Sequence, residues 1–260
     1  MLFLDSSDPA EIQQLMRWGV VAGITTNPLI LSREAKGVDL GQRIAEVLRV
    51  SRGPVSVELV SETEEEMIAE ALHYRTFDDP EPLAPHDAAT SPGRIVPRGH
   101  RPGGAPENRV VIKVPFSEMG LRVTHELANL DVPTNVTCMM SFHQAYLAAL
   151  AGATYVSIFS GRIRDMGYDA KPVIADTRAQ LDREGLAARI IVGSVRHLFD
   201  VSEALSAGAH IVTVPPPIFR AMLRHPRTEE TIREFNAAWA KANAKPDAAS
   251  PDTAKSEAAK

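Results

Sequence analysis

The stretch RVVIKVPF, from Arg109 to Phe116, places one lysine inside a run of apolar residues. Three valines and an isoleucine surround Lys113, and such β-branched side chains favour a strand that is covered on both faces. Pro115 ends the run, because proline has no N–H for the hydrogen-bond ladder of a central strand. The sequence therefore predicts a buried strand over Arg109–Val114, with Lys113 close to its carboxyl end.

Two interpretations of Lys113 follow from this stretch. The aliphatic stem can pack in the core while the ammonium group reaches water, as lysine side chains often do. Alternatively, a buried amine gives up its proton more easily and can form a Schiff base with a carbonyl substrate. The stretch alone favours the first interpretation, so the choice depends on the rest of the chain.

The composition is that of a soluble globular protein of 260 residues, 44% hydrophobic and 23% charged. A formal net charge of −5 argues against a nucleic-acid binder that uses a basic face. No segment approaches the roughly 20 apolar residues of a membrane helix. The first residues, MLFLDSSDP, lack the basic start and cleavage site of a secretory signal. We expect a cytoplasmic protein with neither nucleic-acid nor membrane partners.

Cysteine and histidine add little to the candidate chemistry. The single cysteine, Cys138, excludes an internal disulfide framework and fits a reducing compartment. Because it stands in an apolar strand, we expect it to be a small buried side chain. The eight histidines are scattered without the spacing of metal ligands, so no metal site is predicted.

Strand-like runs alternate with helical patterns along the chain. The predicted strands are Leu2–Leu4, Val20–Thr26, Val55–Val60, Arg109–Val114, Thr134–Met140, Tyr155–Phe159, Arg189–Ser194 and His210–Val214. The predicted helices are Ala10–Trp18, Leu40–Val50, Glu62–Tyr74, Glu118–Leu130, Ser141–Ala151, Pro172–Glu184, Leu198–Ala207 and Ile218–Trp239, the last bent near Pro226. Eight such units predict an α/β fold, a single (β/α)8 TIM barrel. A doubly wound open sheet is the alternative, although no G-x-G-x-x-G turn follows the first strand.

Two segments depart from this alternation. The segment 76–108 holds seven of the nineteen prolines and four of the sixteen glycines, which predicts a flexible insert before the fourth strand. Its basic part, Arg94–Arg101, could touch phosphate as a lid, but an unstructured surface excursion is the favoured interpretation. The segment 241–260 has the composition of a disordered tail. The predicted catalytic barrel therefore spans residues 1–240.

Polar residues gather at the predicted strand ends, where barrels of this class carry their active sites. These residues are Asp5, Asn27, Glu58, Lys113, Asn135, Thr137, Ser157, Ser194 and Arg196, joined by Phe159 on the sixth strand and Arg162 just beyond it. Each has a structural explanation of its own, such as a turn, a core position or a surface ion pair. Glu58 is the hardest to explain that way, because an unpaired carboxylate in an apolar strand costs several kcal/mol. Together they indicate a polar pocket in an apolar barrel.

The sequence resembles the transaldolases and their short relatives, the fructose-6-phosphate aldolases. Seven segments match in the family's order and span most of the chain outside the insert and the tail. They are LDSSD, GITTNP, VSVEL, VIKVP, TNVTCMMSFHQA, SIFSGRI and VGSVRH. The resemblance implies a (β/α)8 barrel whose fourth strand carries a Schiff-base lysine.

The implied reaction transfers a dihydroxyacetone unit from a ketose phosphate, sedoheptulose 7-phosphate or fructose 6-phosphate, to an aldose phosphate. Lys113 would form the imine, Asp5 would move the proton of the C4 hydroxyl, and Glu58 with Thr137 would position a water. The residues implied to bind the substrate are Asn27, Asn135, Ser157 and Phe159 for the dihydroxyacetone unit, and Arg162, Ser194 and Arg196 for the phosphate. The resemblance implies no cofactor and no metal, sugar phosphates as the partners, and a homo-oligomer.

The two branches of the family differ in the fate of the enamine. Short aldolases carry Gln in place of Glu58 and Tyr in place of Phe159, so Glu58, Asn135 and Phe159 favour the transferase. The Val-Pro pair after Lys113 and the compact remainder resemble the aldolase branch, which releases free dihydroxyacetone. The pocket residues carry more weight, and transaldolase is the favoured interpretation. Two features depart from the pattern: Leu29 where the family often has Ser, and the insert, expected on the face opposite the active site.

Two further interpretations stay open. The chain could be a barrel that binds a sugar phosphate without turnover, although such a protein would not need the amine and both carboxylates. It could also be a lysine aldolase for another sugar phosphate, such as deoxyribose phosphate. The pair of Asn27 and Asn135 favours a dihydroxyacetone donor over that alternative.

Overall fold

A computed structural model of the chain describes residues 1–34, 37–77 and 109–243. Nearly all of the predicted insert, with its basic stretch Arg94–Arg101, lies outside the described residues. Most of the predicted tail lies outside them as well. Positions 241–243 of that tail belong to the last helix instead.

Eight parallel strands, hydrogen-bonded in chain order, close into a barrel. They are β1 (Leu2–Asp5), β2 (Val21–Thr25), β3 (Val55–Glu58), β4 (Val110–Pro115), β5 (Thr134–Met139), β6 (Tyr155–Phe159), β7 (Arg189–Gly193) and β8 (Ile211–Val214). This closed sheet confirms the predicted (β/α)8 barrel and rules out the open doubly wound sheet. Five of the six residues of β4 are buried, as the apolar run around Lys113 predicts.

Helices follow every strand in the described part of the chain. They are α1 (Pro9–Met16), α2 (Pro28–Glu34), α3 (Leu40–Val50), α4 (Glu64–Arg75), α5 (Glu118–Asn129), α6 (Phe142–Leu150), α7 (Ser160–Asp165), α8 (Ala170–Glu184), α9 (Leu198–Ser206), α10 (Pro216–Ala221) and α11 (Pro226–Asn243). Chain contacts separate two units, Met1–Ala221 with the barrel and Met222 onward with α11.

Three helical segments differ from the sequence prediction. The helices α2 and α7 were not predicted, because each is short and begins directly at or just beyond a strand end. The single helix predicted over Ile218–Trp239 is two helices, α10 and α11. Each of these begins at a proline, a residue that suits the first turn of a helix but not its interior.

Apolar side chains fill the inside of the barrel below the strand ends. Phe3, Ile191 and Ile211 form a small buried cluster there. A Cβ on Gly23 would lie 2.7 Å from the Phe3 ring, so the absence of a side chain at this position makes room for that ring. Because side chains on a strand alternate between faces, the residues two positions after the cluster members also point inward. Those residues, Asp5, Gly193 and Thr213, lie in the layer above this apolar floor.

Candidate active site

The carboxyl ends of the strands surround a cavity of about 580 Å³. Eight of the predicted site residues line this cavity: Asp5, Asn27, Glu58, Lys113, Ser157, Phe159, Arg162 and Ser194. The other three, Asn135, Thr137 and Arg196, lie outside the lining. These eight predicted residues come from six different strand ends, in the place where barrels of this class bind their substrates.

Lys113 is the buried cation of this cavity. Its Nζ lies 2.8 Å from Oε2 of Glu58 and donates a 3.0 Å hydrogen bond to the carbonyl oxygen of Thr26. The register of β3 and β4 pairs Glu58 directly with Lys113, and Lys113 is only 4% exposed. The ring centroid of Phe159 lies 6.0 Å from the same nitrogen. The ammonium thus faces a carboxylate and an aromatic ring inside the cavity, and does not extend into bulk water.

Asp5 is held at the end of β1 by hydroxyl groups. Thr25 donates a 2.7 Å hydrogen bond to Oδ1 of Asp5, and Oγ1 of Thr213 lies 2.6 Å from Oγ1 of Thr25. Burial raises the pKa of the Asp5 carboxyl, although the Thr25 hydrogen bond and the charge of Lys113 act in the opposite direction. A carboxylate with a raised pKa is a stronger base than an exposed aspartate.

Asn135 connects three strands beside the lysine. Its amide nitrogen donates to Oγ of Ser56 at 3.2 Å, and its amide oxygen accepts from Oγ of Ser157 at 2.7 Å. The strand register pairs Asn135 with Lys113. Asn135 is fully buried, and of this network only Ser157 lines the cavity. The predicted direct contact of Asn135 with substrate is therefore not visible in the cavity lining.

Thr137 lies on the same strand and is also fully buried. Its hydroxyl interacts with the neighbouring thiol of Cys138, whose pKa it lowers, and makes no hydrogen bond to a nitrogen or oxygen atom within the described part of the chain. Because sulfur is a weak hydrogen-bond partner, this hydroxyl can still bond a group from outside the protein.

Cys138 differs from its sequence prediction. It is exposed and lines the cavity, whereas the apolar pattern predicts a buried side chain. The register of β5 shifts between Val136 and Met139, and Cys138 has a φ of +63°. Such an irregularity re-aims a side chain that strand alternation would bury. Burial of the sulfur still raises the pKa of the thiol, so the thiolate form is disfavoured.

Asn27 caps a helix and also lines the cavity. Its side-chain oxygen accepts a 2.9 Å hydrogen bond from the backbone N–H of Ile30 and so caps α2, which begins at Pro28. Leu29, two residues after Asn27, also lines the cavity and is 73% exposed. A large apolar side chain therefore stands at the cavity mouth.

Arg162 and Ser194 line the part of the cavity that follows β6 and β7. Ser194 has a φ of +59°, an uncommon backbone conformation for a residue with a side chain and one that is concentrated at functional sites. A Cβ at position 161 would lie 2.2 Å from the carbonyl oxygen of Ser194. Gly161 thus permits a close approach between the loop after β7 and the start of α7.

Arg196 belongs to this loop, but its side chain is engaged elsewhere. Its two terminal nitrogens donate to the two carboxylate oxygens of Asp165, each at 2.5 Å. Below it, the carboxylate of Asp200 accepts hydrogen bonds from the backbone N–H groups of Arg196 and His197 and pairs with Arg164. Burial raises the pKa of Asp200, but these hydrogen bonds outweigh it and the net pKa is lowered. The ionised Asp200 fixes the backbone of the loop.

Several cavity residues were not predicted as site residues from the sequence. They are Thr25, Pro28, Leu29, Cys138, Met140, Gly193 and Thr213. Thr25 stands in the GITTNP segment next to Asn27, and that motif was the available signal for it. Thr213 was visible as the lone polar side chain of the last strand. Nothing in the local sequence indicates that the two hydroxyls touch.

Sequence comparisons show which proteins the chain is similar to. A family model described as Transaldolase/Fructose-6-phosphate aldolase matches residues 2–258. A probable transaldolase of Streptococcus equi subsp. equi is 36% identical over 92% of this chain and 97% of its own length. A probable transaldolase of Shouchella clausii is 37% identical over 93% of this chain and 97% of its own length. Probable transaldolase 1 of Bacillus cereus is 36% identical over 94% of this chain and 99% of its own length.

A solved structure supports the fold alone. A mandelate oxidase variant with an FMN adduct aligns with a TM-score of 0.51 at 15% identity. The alignment covers 84% of this chain, which spans 65% of that structure. In the described ranges no helix is both long and apolar enough to cross a membrane.

Proposed function

The chain belongs to the transaldolase/fructose-6-phosphate aldolase family, and we propose that it is a transaldolase acting through a Schiff base on Lys113. It transfers a dihydroxyacetone unit from a ketose phosphate, sedoheptulose 7-phosphate or fructose 6-phosphate, to an aldose phosphate. The observation that carries this proposal is the buried Nζ of Lys113 on the cavity wall, 2.8 Å from the carboxylate of Glu58. A primary amine beside a base is the arrangement that imine formation requires.

The first step joins the donor to the enzyme. Glu58 accepts a proton from Lys113, and the neutral amine attacks the C2 carbonyl of the ketose to give a carbinolamine. Loss of water, with a proton delivered to the departing hydroxyl, leaves an iminium ion. The contact between Glu58 and Lys113 supports a direct proton transfer. The hydroxyl of Thr137, which has no nitrogen or oxygen partner among the described residues, supports the proposed role of holding the water that moves in this step.

The second step breaks the carbon–carbon bond. Asp5 takes the proton of the C4 hydroxyl, the C3–C4 bond breaks, and its electron pair flows into the iminium to form an enamine. The aldose phosphate leaves. The raised pKa of Asp5 supports its role as the base, because a more basic carboxylate takes this proton more readily.

The last steps reverse the first two with a new partner. The enamine carbon attacks the aldehyde of the acceptor, and Asp5 returns its proton to the new C4 hydroxyl. Hydrolysis of the resulting iminium frees the product and restores Lys113. Asp5 thus acts as base and then as acid, which one carboxyl in a fixed position can do.

The proposed binding roles follow from the walls of the cavity. Asn27 and Ser157 line it and have polar atoms suited to the hydroxyls of the dihydroxyacetone unit. Asn135 acts through Ser157, whose hydroxyl it holds. Arg162 and Ser194 supply a cation and a hydroxyl for the phosphate, with Arg196 as its second cation.

The second candidate is cleavage of fructose 6-phosphate to free dihydroxyacetone and glyceraldehyde 3-phosphate, the other activity in the family description. Phe159 favours transfer, because its ring near Nζ of Lys113 has no hydroxyl to help protonate the enamine. A coupled assay with fructose 6-phosphate, with and without erythrose 4-phosphate, separates the two. Turnover only with the acceptor supports transaldolase, and equal turnover without it supports aldolase. Binding without turnover in either assay would support the non-catalytic barrel.

The cytoplasmic location and the homo-oligomeric state also belong to this proposal. Deoxyribose phosphate as a substrate is tested by the same assay with that sugar in place of fructose 6-phosphate. Faster turnover of deoxyribose phosphate would overturn the choice of a dihydroxyacetone donor.

A further inference from the structure

Resting on the proposed function, we propose that Thr213 is a positioning residue of the reaction that acts on Asp5 through Thr25. The three side chains form a hydrogen-bonded chain from β8 through β2 to the end of β1. Oγ1 of Thr213 lies 2.6 Å from Oγ1 of Thr25, which lies 2.7 Å from Oδ1 of Asp5. This chain makes the orientation and the basicity of Asp5 depend on a residue outside its own strand.

Which threonine donates and which accepts follows from the single proton that each hydroxyl group has. A threonine hydroxyl has one proton to donate and two lone pairs to accept with. Thr25 uses its proton on the carboxylate of Asp5. In the contact between the two hydroxyls, Thr213 must therefore be the donor and Thr25 the acceptor. Thr213 thus fixes the orientation of the Thr25 hydroxyl toward Asp5.

Both threonines are buried, so water does not compete strongly for their hydroxyl groups. Thr25 is 3% exposed and Thr213 is 6% exposed. They stand on β2 and β8, the two strands that pair with β1. The branched threonine side chain is stiff about χ1, so a hydroxyl set in this position stays there. The carboxyl of Asp5 is held directly from β2 by Thr25, and β8 acts on it only through Thr25.

The hydrogen-bonded threonines distinguish the two carboxylate oxygens of Asp5. Oδ1 accepts the hydrogen bond of Thr25, which occupies one of its two lone pairs. Oδ2 does not bond Thr25 and is the less occupied oxygen for the C4 hydroxyl of the substrate.

Charged groups around Asp5 belong to other elements. Lys113 of β4 and Arg33 of α2 favour the ionised carboxyl, and Glu34 of α2 opposes it. On α10, which packs against β1, Arg220 is turned to Glu11 and Gln14 of α1. The two residues that β2 and β8 contribute to these hydrogen bonds, Thr25 and Thr213, carry no charge. Removing one hydroxyl therefore changes the hydrogen bonding of Asp5 and leaves its charged surroundings intact.

The experiment compares pH profiles of kcat/KM for transfer between fructose 6-phosphate and erythrose 4-phosphate. Without Thr213 the Thr25 hydroxyl is free to turn away, so the ionised form of Asp5 loses support. We expect Thr213→Val to move the acidic limb to higher pH, with about a threefold loss on that limb, and to change KM less than twofold. Thr25→Val should cause about a tenfold loss in the same direction, because it removes the hydrogen bond to the charge. Thr213→Ser, which keeps the hydroxyl, should restore the wild-type profile.

Two controls distinguish the loss of the Thr213–Thr25–Asp5 hydrogen bonds from a general loss of structure. Thr177→Val removes another buried threonine hydroxyl, one that bonds to the backbone of α8, and should leave the pH profile unchanged. In the Thr25→Val background, Thr213→Val should add no further shift, because its link to Asp5 is already cut. If Thr213→Val does not fold, Thr213→Ala is measured in its place.

The outcomes separate this inference from the proposed function. Each variant is also treated with fructose 6-phosphate and borohydride, which traps an imine whether or not the second step is fast. Trapping and turnover in the wild type, together with a wild-type profile in Thr213→Val, would overturn the role of Thr213. A further shift in the double variant would overturn action through Thr25. No trapping in the wild type would overturn the proposed function instead.

Discussion

Arg196 and Asp165 form a two-pronged ion pair beside the cavity, with both terminal nitrogens of the guanidinium bonded to carboxylate oxygens at 2.5 Å. A phosphate group would use the same two-pronged geometry. Arg196 lowers the pKa of Asp165, so this carboxylate keeps its charge across the working pH range. If Arg196 binds the substrate phosphate, as proposed, we expect the carboxylate and the phosphate to compete for one guanidinium.

We predict that Asp165→Asn lowers KM for fructose 6-phosphate. Solvent screens this exposed pair, so the expected decrease in KM is small, at most about fivefold, with kcat unchanged. Steady-state kinetics with fructose 6-phosphate and erythrose 4-phosphate give this measurement. An increase in KM would mean that Asp165 orients Arg196 for the phosphate and does not compete with it.

Arg196→Ala should weaken the binding of phosphorylated donors. The variant loses a charged hydrogen-bond donor to the phosphate, so KM for fructose 6-phosphate should rise by at least about tenfold. Unphosphorylated dihydroxyacetone used as a donor should be much less affected. Arg178→Ala is the matched control, because Arg178 pairs with Asp182 on α8. An equal loss with both donors would show that Arg196 is structural.

Asp5→Asn should remove turnover and stabilise the fold at neutral pH. Burial raises the pKa of Asp5 in the folded protein, so between its ordinary value and the raised value the folded state binds more protons than the unfolded state. Stability therefore falls as pH rises through that window and stays lower above it. The neutral amide avoids this loss.

Thermal unfolding at pH 4 and pH 7 measures the effect, with the exposed Asp176→Asn as control. We expect the melting temperature of Asp5→Asn to exceed that of the wild type at pH 7, and by less at pH 4. A gain of about 1 kcal/mol corresponds to roughly 2–4 °C for a chain of this size. A lower melting temperature at pH 7 would show that the ionised carboxylate stabilises the cavity.

Phe159→Tyr should shift the enzyme toward cleavage. The ring centroid lies 6.0 Å from Nζ of Lys113, so a hydroxyl on this ring could orient a water toward the enamine. We expect release of glyceraldehyde 3-phosphate from fructose 6-phosphate alone to rise about tenfold, which is about 1.4 kcal/mol of transition-state stabilisation. Transfer to erythrose 4-phosphate should fall in the same variant. An unchanged rate of release would show that Phe159 does not control the fate of the enamine.

Much of the barrel could be predicted because its pattern is local. The buried run around Lys113 and the alternation of strands and helices follow from the spacing of apolar residues within short segments. The strand-end rule then located most of the cavity residues. The helix α2 was missed because its apolar pattern is short, although Asn27 and Pro28 are its start signal.

The remaining features depend on geometry that local patterns do not contain. Cys138 faces the cavity because β5 is irregular there. Asn135 and Thr137 lie at strand-end positions but are fully buried and outside the lining, which their sequence positions do not reveal. The contact between Thr25 and Thr213 joins residues from opposite ends of the chain and requires the closed sheet.

The central claim is that Lys113 carries the substrate as a Schiff base, and borohydride trapping tests it most directly. The protein is treated with fructose 6-phosphate and borohydride, digested, and its peptides are weighed by mass spectrometry. Lys113→Arg should be inactive and untrapped, because guanidinium stays protonated at working pH, while the matched variant Lys171→Arg should behave as wild type. The account predicts a reduced adduct on the peptide that contains Lys113. Turnover with an unmodified Lys113, or an adduct on another lysine, would contradict it.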